Sequence, residues 1–232
     1  MAVSRRQRPD DLSGTLAQFE FFKGIRKSEL DEIAGLALCH DYPKNNILTY
    51  RGDPTGAVFM VLSGRVKTIL TNDEGREVIV TLLGPGGLFG LTAAVDGGEQ
   101  LASAVTVQRS SIARFGGKSF IRWTENSPGA RGAVARELAR NIRELNQKIE
   151  AHALMTTKAR LFDTLLEIAG AEGEQEPGGD RVSFTRPTHK ELANRIGTSR
   201  EVVSRLLAEL REAEMFEADE GRVILVPMSA LV

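Results

Sequence analysis

The sequence predicts an α+β chain in three parts: an N-terminal antiparallel β-roll, a long helix, and a C-terminal winged helix-turn-helix. Three observations carry that prediction. Between Asp41 and Arg114, short β-rich runs alternate with glycine-bearing turns. From Gly132 to about Met155 there is no internal proline or glycine, and apolar residues recur at heptad spacing. From Thr188 to Leu210, two short helical patterns flank Ile196-Gly197-Thr198, and two more β-rich runs follow.

Composition bounds the problem. The chain has 232 residues, 41% hydrophobic and 26% charged, as expected of a water-exposed globular protein that can bury a core. Thirty basic residues nearly balance thirty-one acidic ones, so any basic face must be local. Arg186, Lys190, Arg195, Arg200 and Arg205 outnumber Glu191 and Glu201 around the C-terminal motif, and the sign reverses from Glu209 to Glu220. Cys39 is the only cysteine, which excludes an internal disulfide and argues against a cysteine-ligated metal. It reads as a buried thiol. No apolar run approaches the roughly 18 residues of a membrane span. The opening MAVSRRQRPDD lacks the apolar stretch of a secretory signal. A cytoplasmic protein with no membrane partner is expected, with residues 1–14, including Arg5, Arg6 and Arg8, as a flexible tail.

Taken in order, Thr15–Phe22 and Lys27–Leu38 read as short helices. Strands are expected over Ile47–Tyr50, Val58–Ser63, Val66–Thr71, Glu77–Leu83, Ala102–Val107 and Ile112–Phe115. They are separated by Gly52-Asp53-Pro54, Ser63-Gly64, Asn72-Asp73-Glu74-Gly75 and Gly84-Pro85-Gly86-Gly87, a spacing that suits a roll or barrel. This gives a sensor domain over residues 15–126. A helix and hinge over 127–155 follow. There Ala135, Leu138, Ile142, Leu145, Ile149 and His152 fall at alternating spacings of three and four, a seam for two-stranded dimerisation. Lys158–Ala169 reads as a further helix, Gly170–Asp180 as a loop and Arg181–Phe184 as a strand. The remainder, within a domain over 156–232, is the helix-turn-helix with a hairpin formed by Met215–Ala218 and Val223–Val226.

The motif meets the packing needs of a helix-turn-helix. Ala193 permits close helix crossing, Gly197 takes the turn and Val203 packs the second helix on the first. Thr188 and Ser199 are N-cap candidates that could also meet phosphates. Thr198, Ser199, Arg200, Glu201, Ser204 and Arg205 lie at or near one exposed face. Arginine can grip a guanine edge with two hydrogen bonds, and glutamate can accept from cytosine. Double-stranded DNA is the expected partner.

At this point the chain resembles the catabolite activator-like proteins of the cyclic-AMP receptor/fumarate–nitrate regulator (Crp/Fnr) superfamily, from about Phe19 to Pro227. Gly52, Gly64, Gly75, Gly86 and Gly90 fall in that family's β-roll register. Ser199-Arg200-Glu201-Val202-Val203-Ser204-Arg205 closely matches its reading helix. The resemblance implies a cyclic-nucleotide-binding-like roll and a homodimer on a palindromic operator with TGTGA-like half-sites. Arg200 and Arg205 would lie on guanines and Glu201 on a cytosine. It also implies a transcription activator that touches RNA polymerase.

The ligand site departs from the family pattern. Cyclic-nucleotide binders carry Phe-x-Gly-Glu, whose glutamate holds the ribose, and then Arg-Ser/Thr-Ala, whose arginine pairs with the phosphate. Here Phe89-Gly90 precedes Leu91, and Leu101-Ala102 occupy the arginine–serine positions. A base-contacting threonine–serine pair is replaced by Leu145-Asn146. A phosphodiester buried without a cation is costly, so cyclic AMP is not expected to bind in the usual way. A remaining cavity would be lined by Val80, Thr81, Gly90, Leu91, Leu101, Ala102, Asn141, Leu145 and Asn146. An uncharged or lipidic ligand, a different nucleotide bound elsewhere, a protein contact of the roll or no effector at all stay open. No cofactor is expected. Catalysis is not expected either. The three histidines, His40, His152 and His189, lie in different regions, and Gly84-Pro85-Gly86-Gly87 lacks the ending of a phosphate-binding loop.

Overall fold

The computed structural model describes residues 4–5, 11–54, 56–175, 181–219 and 222–225. It divides into two compact units, residues 1–144 and 145–232.

The first unit opens with β1 (Ser4–Arg5), which pairs antiparallel with β2 (Leu38–Tyr42). Part of the expected tail is therefore a sheet edge, while Arg6 and Arg8 lie outside the described residues. Asp11 then caps α1 (Leu12–Ala17), its carboxylate accepting the Gly14 N–H at 2.8 Å. A single 3₁₀ turn (Glu20–Phe22) and α2 (Lys27–Leu36) follow. The helix expected to reach Leu38 stops at Leu36 because Leu38 has joined β2.

To β1 and β2 the roll adds β3 (Ile47–Thr49), β4 (Val58–Ser63), β5 (Val66–Thr71), β6 (Glu77–Leu83), β7 (Leu88–Phe89), β8 (Ser103–Thr106) and β9 (Ser110–Phe115). Two antiparallel sheets form, ordered β1-β2-β9-β4-β7 and β3-β8-β5-β6. The β4–β5 corner needs glycine. Gly64 has φ +88°, and a Cβ there would lie 2.5 Å from the Arg109 carbonyl oxygen.

β4 shows how the unit is layered. Phe59 and Val61 enter one core with Val66, Phe89, Ala104 and Ile112, where the Phe59 and Phe89 rings stack at 4.8 Å. Val58 and Met60 face the opposite way, into a larger core with Leu16, Phe22, Ile33, Phe115, Phe120 and Trp123. Successive strand residues point to opposite faces, so an unbroken apolar run marks a strand covered on both sides.

Further elements add to the expected set beside β1 and β2. β7, α3 (Leu91–Asp96) and α4 (Gly117–Asn126) stand where no element was predicted. α4 begins with glycine, yet it forms because Phe120 and Trp123 are buried and the indole N–H donates to the Glu29 carbonyl at 2.9 Å. The long helix α5 runs over Pro128–Leu154. Its start is fixed by Ser127, whose hydroxyl accepts the Ala130 N–H at 3.1 Å, and by Pro128 at the first helical position. Ala130, Ala133 and Val134 anchor its first turns in the larger core.

The second unit carries α6 (Thr157–Glu172), capped by the Thr156 hydroxyl. Next come β10 (Glu174–Gln175), β11 (Val182–Thr185), α7 (His189–Ile196), α8 (Arg200–Glu212), β12 (Phe216–Asp219) and β13 (Arg222–Leu225). Much of the expected 170–180 loop is thus helix and strand, and its residues 176–180 lie outside the described set. The sheet order is β10-β11-β13-β12, with Phe216 opposite Leu225 and Asp219 opposite Arg222. Leu161, Leu165, Phe184, Leu192, Leu206, Leu207, Leu210 and Phe216 form one core beneath the three helices and the hairpin.

Candidate nucleic-acid interface

α7 and α8 are joined by a turn that only a residue tolerant of left-handed backbone fits. Gly197 has φ 68° and ψ 41° and ends α7. The Thr198 N–H returns to the Ala193 carbonyl at 3.0 Å. Ala193 and Val203 are buried where the helices cross. Both predicted caps form. The Thr188 hydroxyl accepts the Glu191 N–H at 3.1 Å, and the Ser199 hydroxyl accepts the Val202 N–H at 3.4 Å. A Cβ on Gly197 would lie 2.8 Å from Cε1 of His152. His152, expected on the seam, therefore packs its ring over this turn. Burial, and after it the positive Arg160, push its pKa below the usual value.

This scaffold leaves Ser199, Arg200, Glu201, Ser204 and Arg205 exposed, with Thr188 also exposed and Thr198 half-buried. Arg205 reaches Glu209 at 3.9 Å, and Glu209 also meets Lys158 of α6 at 3.5 Å. Glu201 turns back on its helix start. Its own backbone N–H, then the Ser199 hydroxyl, hold its carboxyl below the usual range, and Arg200 adds to this. It is therefore a carboxylate at neutral pH, able to accept hydrogen bonds.

The local charge differs from the count along the sequence in one respect. Arg195 does not add a free cation, because it is mostly buried and pairs with Glu191 at 3.0 Å. In its place the structure adds a pair that sequence reasoning did not single out as binding residues. Arg186 Nη2 lies 3.1 Å from His189 Nε2. Burial, then Arg186, then Arg200 push the His189 pKa below its usual value. The signal was an arginine three residues before a histidine at a helix start, which has meaning only once the fold brings Arg200 alongside.

On α5, Ile142 is 59%, Leu145 47% and Ile149 66% exposed. Ala135 is exposed too, whereas Leu138 is half-buried and packs on the core of its own unit. The positions expected to line a ligand cavity fall into different settings. Gly90 has φ +80° and starts α3, and a Cβ there would lie 2.3 Å from the Ala57 carbonyl oxygen, so its glycine serves the backbone. Leu91 is 3% exposed and belongs to the larger core, while Leu101 is 64% exposed. Val80, Thr81, Ala102 and Asn141 are half-buried, and Leu145 and Asn146 are exposed. Among the described residues, no cluster of histidine, cysteine and acidic side chains could hold a metal ion, and no helix is long and apolar enough to cross a membrane.

An antiparallel roll, a long helix and a winged helix-turn-helix with exposed arginines on its second helix make up the architecture of a DNA-binding transcription regulator. Residues 39–127 match the cyclic nucleotide-binding domain, and residues 159–232 match the Crp-like helix-turn-helix domain. The chain is 31% identical to the cyclic AMP receptor protein of Thermus thermophilus, over 87% of this chain and 90% of that one. It is 27% identical to the CRP-like cAMP-activated global transcriptional regulator of Mycobacterium tuberculosis, covering 91% of this chain and 93% of the relative. In fold it is similar to the c-di-GMP responsive global regulator CLP of Xanthomonas campestris, with a TM-score of 0.76, 21% identity, and coverage of 87% and 99% of the two chains. The chain belongs to the Crp/Fnr family.

Proposed function

We propose that the protein is a cytoplasmic homodimer that reads a palindromic operator with TGTGA-like half-sites. The observation that carries this reading is the exposed set Arg200, Glu201 and Arg205 on α8, held by the buried Ala193–Val203 crossing and the Gly197 turn. Two guanidinium groups supply bidentate donors for guanine, and the Glu201 carboxylate supplies an acceptor for cytosine. Thr188, Thr198, Ser199 and Ser204 flank them as phosphate or base contacts. The exposed Ile142, Leu145 and Ile149 support a seam against a second copy, since apolar side chains repeating along a polar helix gain most by mutual burial. A dimer would then present two reading helices to a two-fold operator. As an activator it would contact RNA polymerase.

Control by cyclic AMP in the family's usual manner is not part of this reading. Both relatives compared above bear cyclic AMP in their names, which makes it the first effector to test. Against it stand Leu91, buried in the core where the family has glutamate, and Leu101-Ala102, where the family has its phosphate-binding arginine. Fluorescence anisotropy with a TGTGA palindrome and a scrambled duplex, with and without cyclic AMP, tests both parts. Preference for the palindrome without nucleotide is expected. Equal binding of both duplexes would refute the reading, and a requirement for micromolar cyclic AMP would refute the statement on control.

A further inference from the structure

Arg186 and His189 make a pair beside Arg200 of the reading face, and one member of the pair carries no charge. A guanidinium can only donate hydrogen bonds, so the 3.1 Å contact from Arg186 Nη2 makes His189 Nε2 the acceptor. The ring proton is then on Nδ1, and His189 is neutral. Arg186 is exposed and His189 half-buried, so both can reach a ligand. The charged groups around the ring come from three elements. Arg186 precedes α7 and Arg200 starts α8. On α7 itself stand Lys190 and Glu191, and Glu191 is engaged with Arg195 at 3.0 Å. The nearest acidic residue on α8, Glu201, is turned onto Ser199 and its own N–H. The cations therefore oppose a charge on the ring until an anion arrives. Burial and both arginines act in that direction.

We infer that Arg186 and His189 clamp a DNA backbone phosphate beside the base-reading Arg200, and that His189 takes up a proton as the duplex binds. The clamp rests on the DNA-binding reading above and deepens it. The proton balance is simple. The Arg186 N–H leaves Nε2 and turns to a phosphate oxygen. Nε2 then binds one proton from solvent, keeps it, and donates a hydrogen bond through it to a second phosphate oxygen. The phosphate charge offsets the two guanidinium groups that disfavour protonation beforehand. Affinity accordingly rises as pH falls through the range in which the complex, but not the free protein, is protonated. Phosphate contacts carry no sequence information, so the effect belongs to cognate and random duplexes alike.

The test is calorimetry and anisotropy on the full-length protein at about pH 6, 7 and 8, in buffers of different ionisation enthalpy. Palindromic and random duplexes are both used. Uptake of close to one proton per protomer is expected. Affinity should fall several-fold as pH rises, with about tenfold per pH unit per protomer as the ceiling for one proton. The salt-dependence slope should be steeper at pH 6 by about 0.9 for each further phosphate neutralised. His189→Gln should bind without that proton uptake, and His189→Arg should hold its affinity at pH 8. Binding with no proton uptake, or uptake that survives in His189→Gln, overturns the clamp and leaves the DNA reading standing. No binding of wild-type protein to any duplex, even at pH 6, overturns the DNA reading and the clamp together.

Discussion

Replacing Gly197 with alanine tests the turn on which the interface depends. The backbone there has φ 68° and ψ 41°. Left-handed backbone costs an ordinary L-residue about 1–2 kcal/mol. The added Cβ would also lie 2.8 Å from His152 Cε1, closer than carbon atoms pack, so the imidazole must swing away. Because that ring is the far end of a flexible side chain, the steric part can relax and the backbone part cannot. Gly197→Ala should therefore destabilise the second unit by about 1–2 kcal/mol. In a unit of this size each kcal/mol is worth roughly 4–8 °C in melting temperature. The assay is thermal unfolding of the full-length protein, followed by its effect on duplex affinity. His152→Ala combined with Gly197→Ala should recover only the steric share. Gly197→Asn should cost less than alanine, since asparagine enters this region more readily. A Gly197→Ala protein as stable as wild type would refute the argument from backbone geometry.

Other outcomes follow from the same structure. Arg200→Ala or Arg205→Ala should each lose about 1–3 kcal/mol of palindrome binding and relax preference at one base pair, which competition with single-substituted duplexes measures. If binding to cognate and random duplexes weakens equally, neither arginine reads a base. Ile142→Asp or Leu145→Asp should place a charge in the seam and yield monomers in sedimentation velocity, and intact dimers would locate the interface elsewhere. The Arg26 side chain, then the Ser127 hydroxyl, hold the Glu29 carboxyl at about 2, below the usual 4.5. A depressed acid contributes stability that is complete above its unfolded value and is lost as pH falls toward the folded one. Urea midpoints should drop between about pH 4.5 and pH 2, with a shallower drop in Glu29→Gln. An unchanged acid limb in that variant would remove Glu29 from the account.

Local signals in the sequence account for much of the fold. β4, β5 and β6 occupy Val58–Ser63, Val66–Thr71 and Glu77–Leu83, the runs that turn residues had bounded. The two helices of the DNA-binding motif were legible because each carries its own start signal, Thr188 or Ser199, and Gly197 separates them. β2 was hidden because Leu38–Tyr42 mixes an exposed leucine with polar residues and takes its place by pairing with Ser110–Phe115, far along the chain. The start of α5 was readable in Ser127-Pro128, a cap followed by proline, but the heptad pattern drew attention to Gly132 instead.

The sequence alone determined the order of elements, the packing residues of the reading motif and the side-chain chemistry it offers to DNA, because caps, turns and periodicity act within a few residues. It also held the departures at Leu91, Leu101 and Ala102, since identity at a motif position needs no coordinates. Only the tertiary structure decided that Leu91 is buried while Leu101 is exposed, that Arg195 is spent on Glu191, and that His152 rests on Gly197. The meeting of Arg186, His189 and Arg200 belongs to the same class. Those outcomes depend on which surfaces distant segments press together, and Coulomb and packing forces respond to separation in space, which order along the chain does not encode.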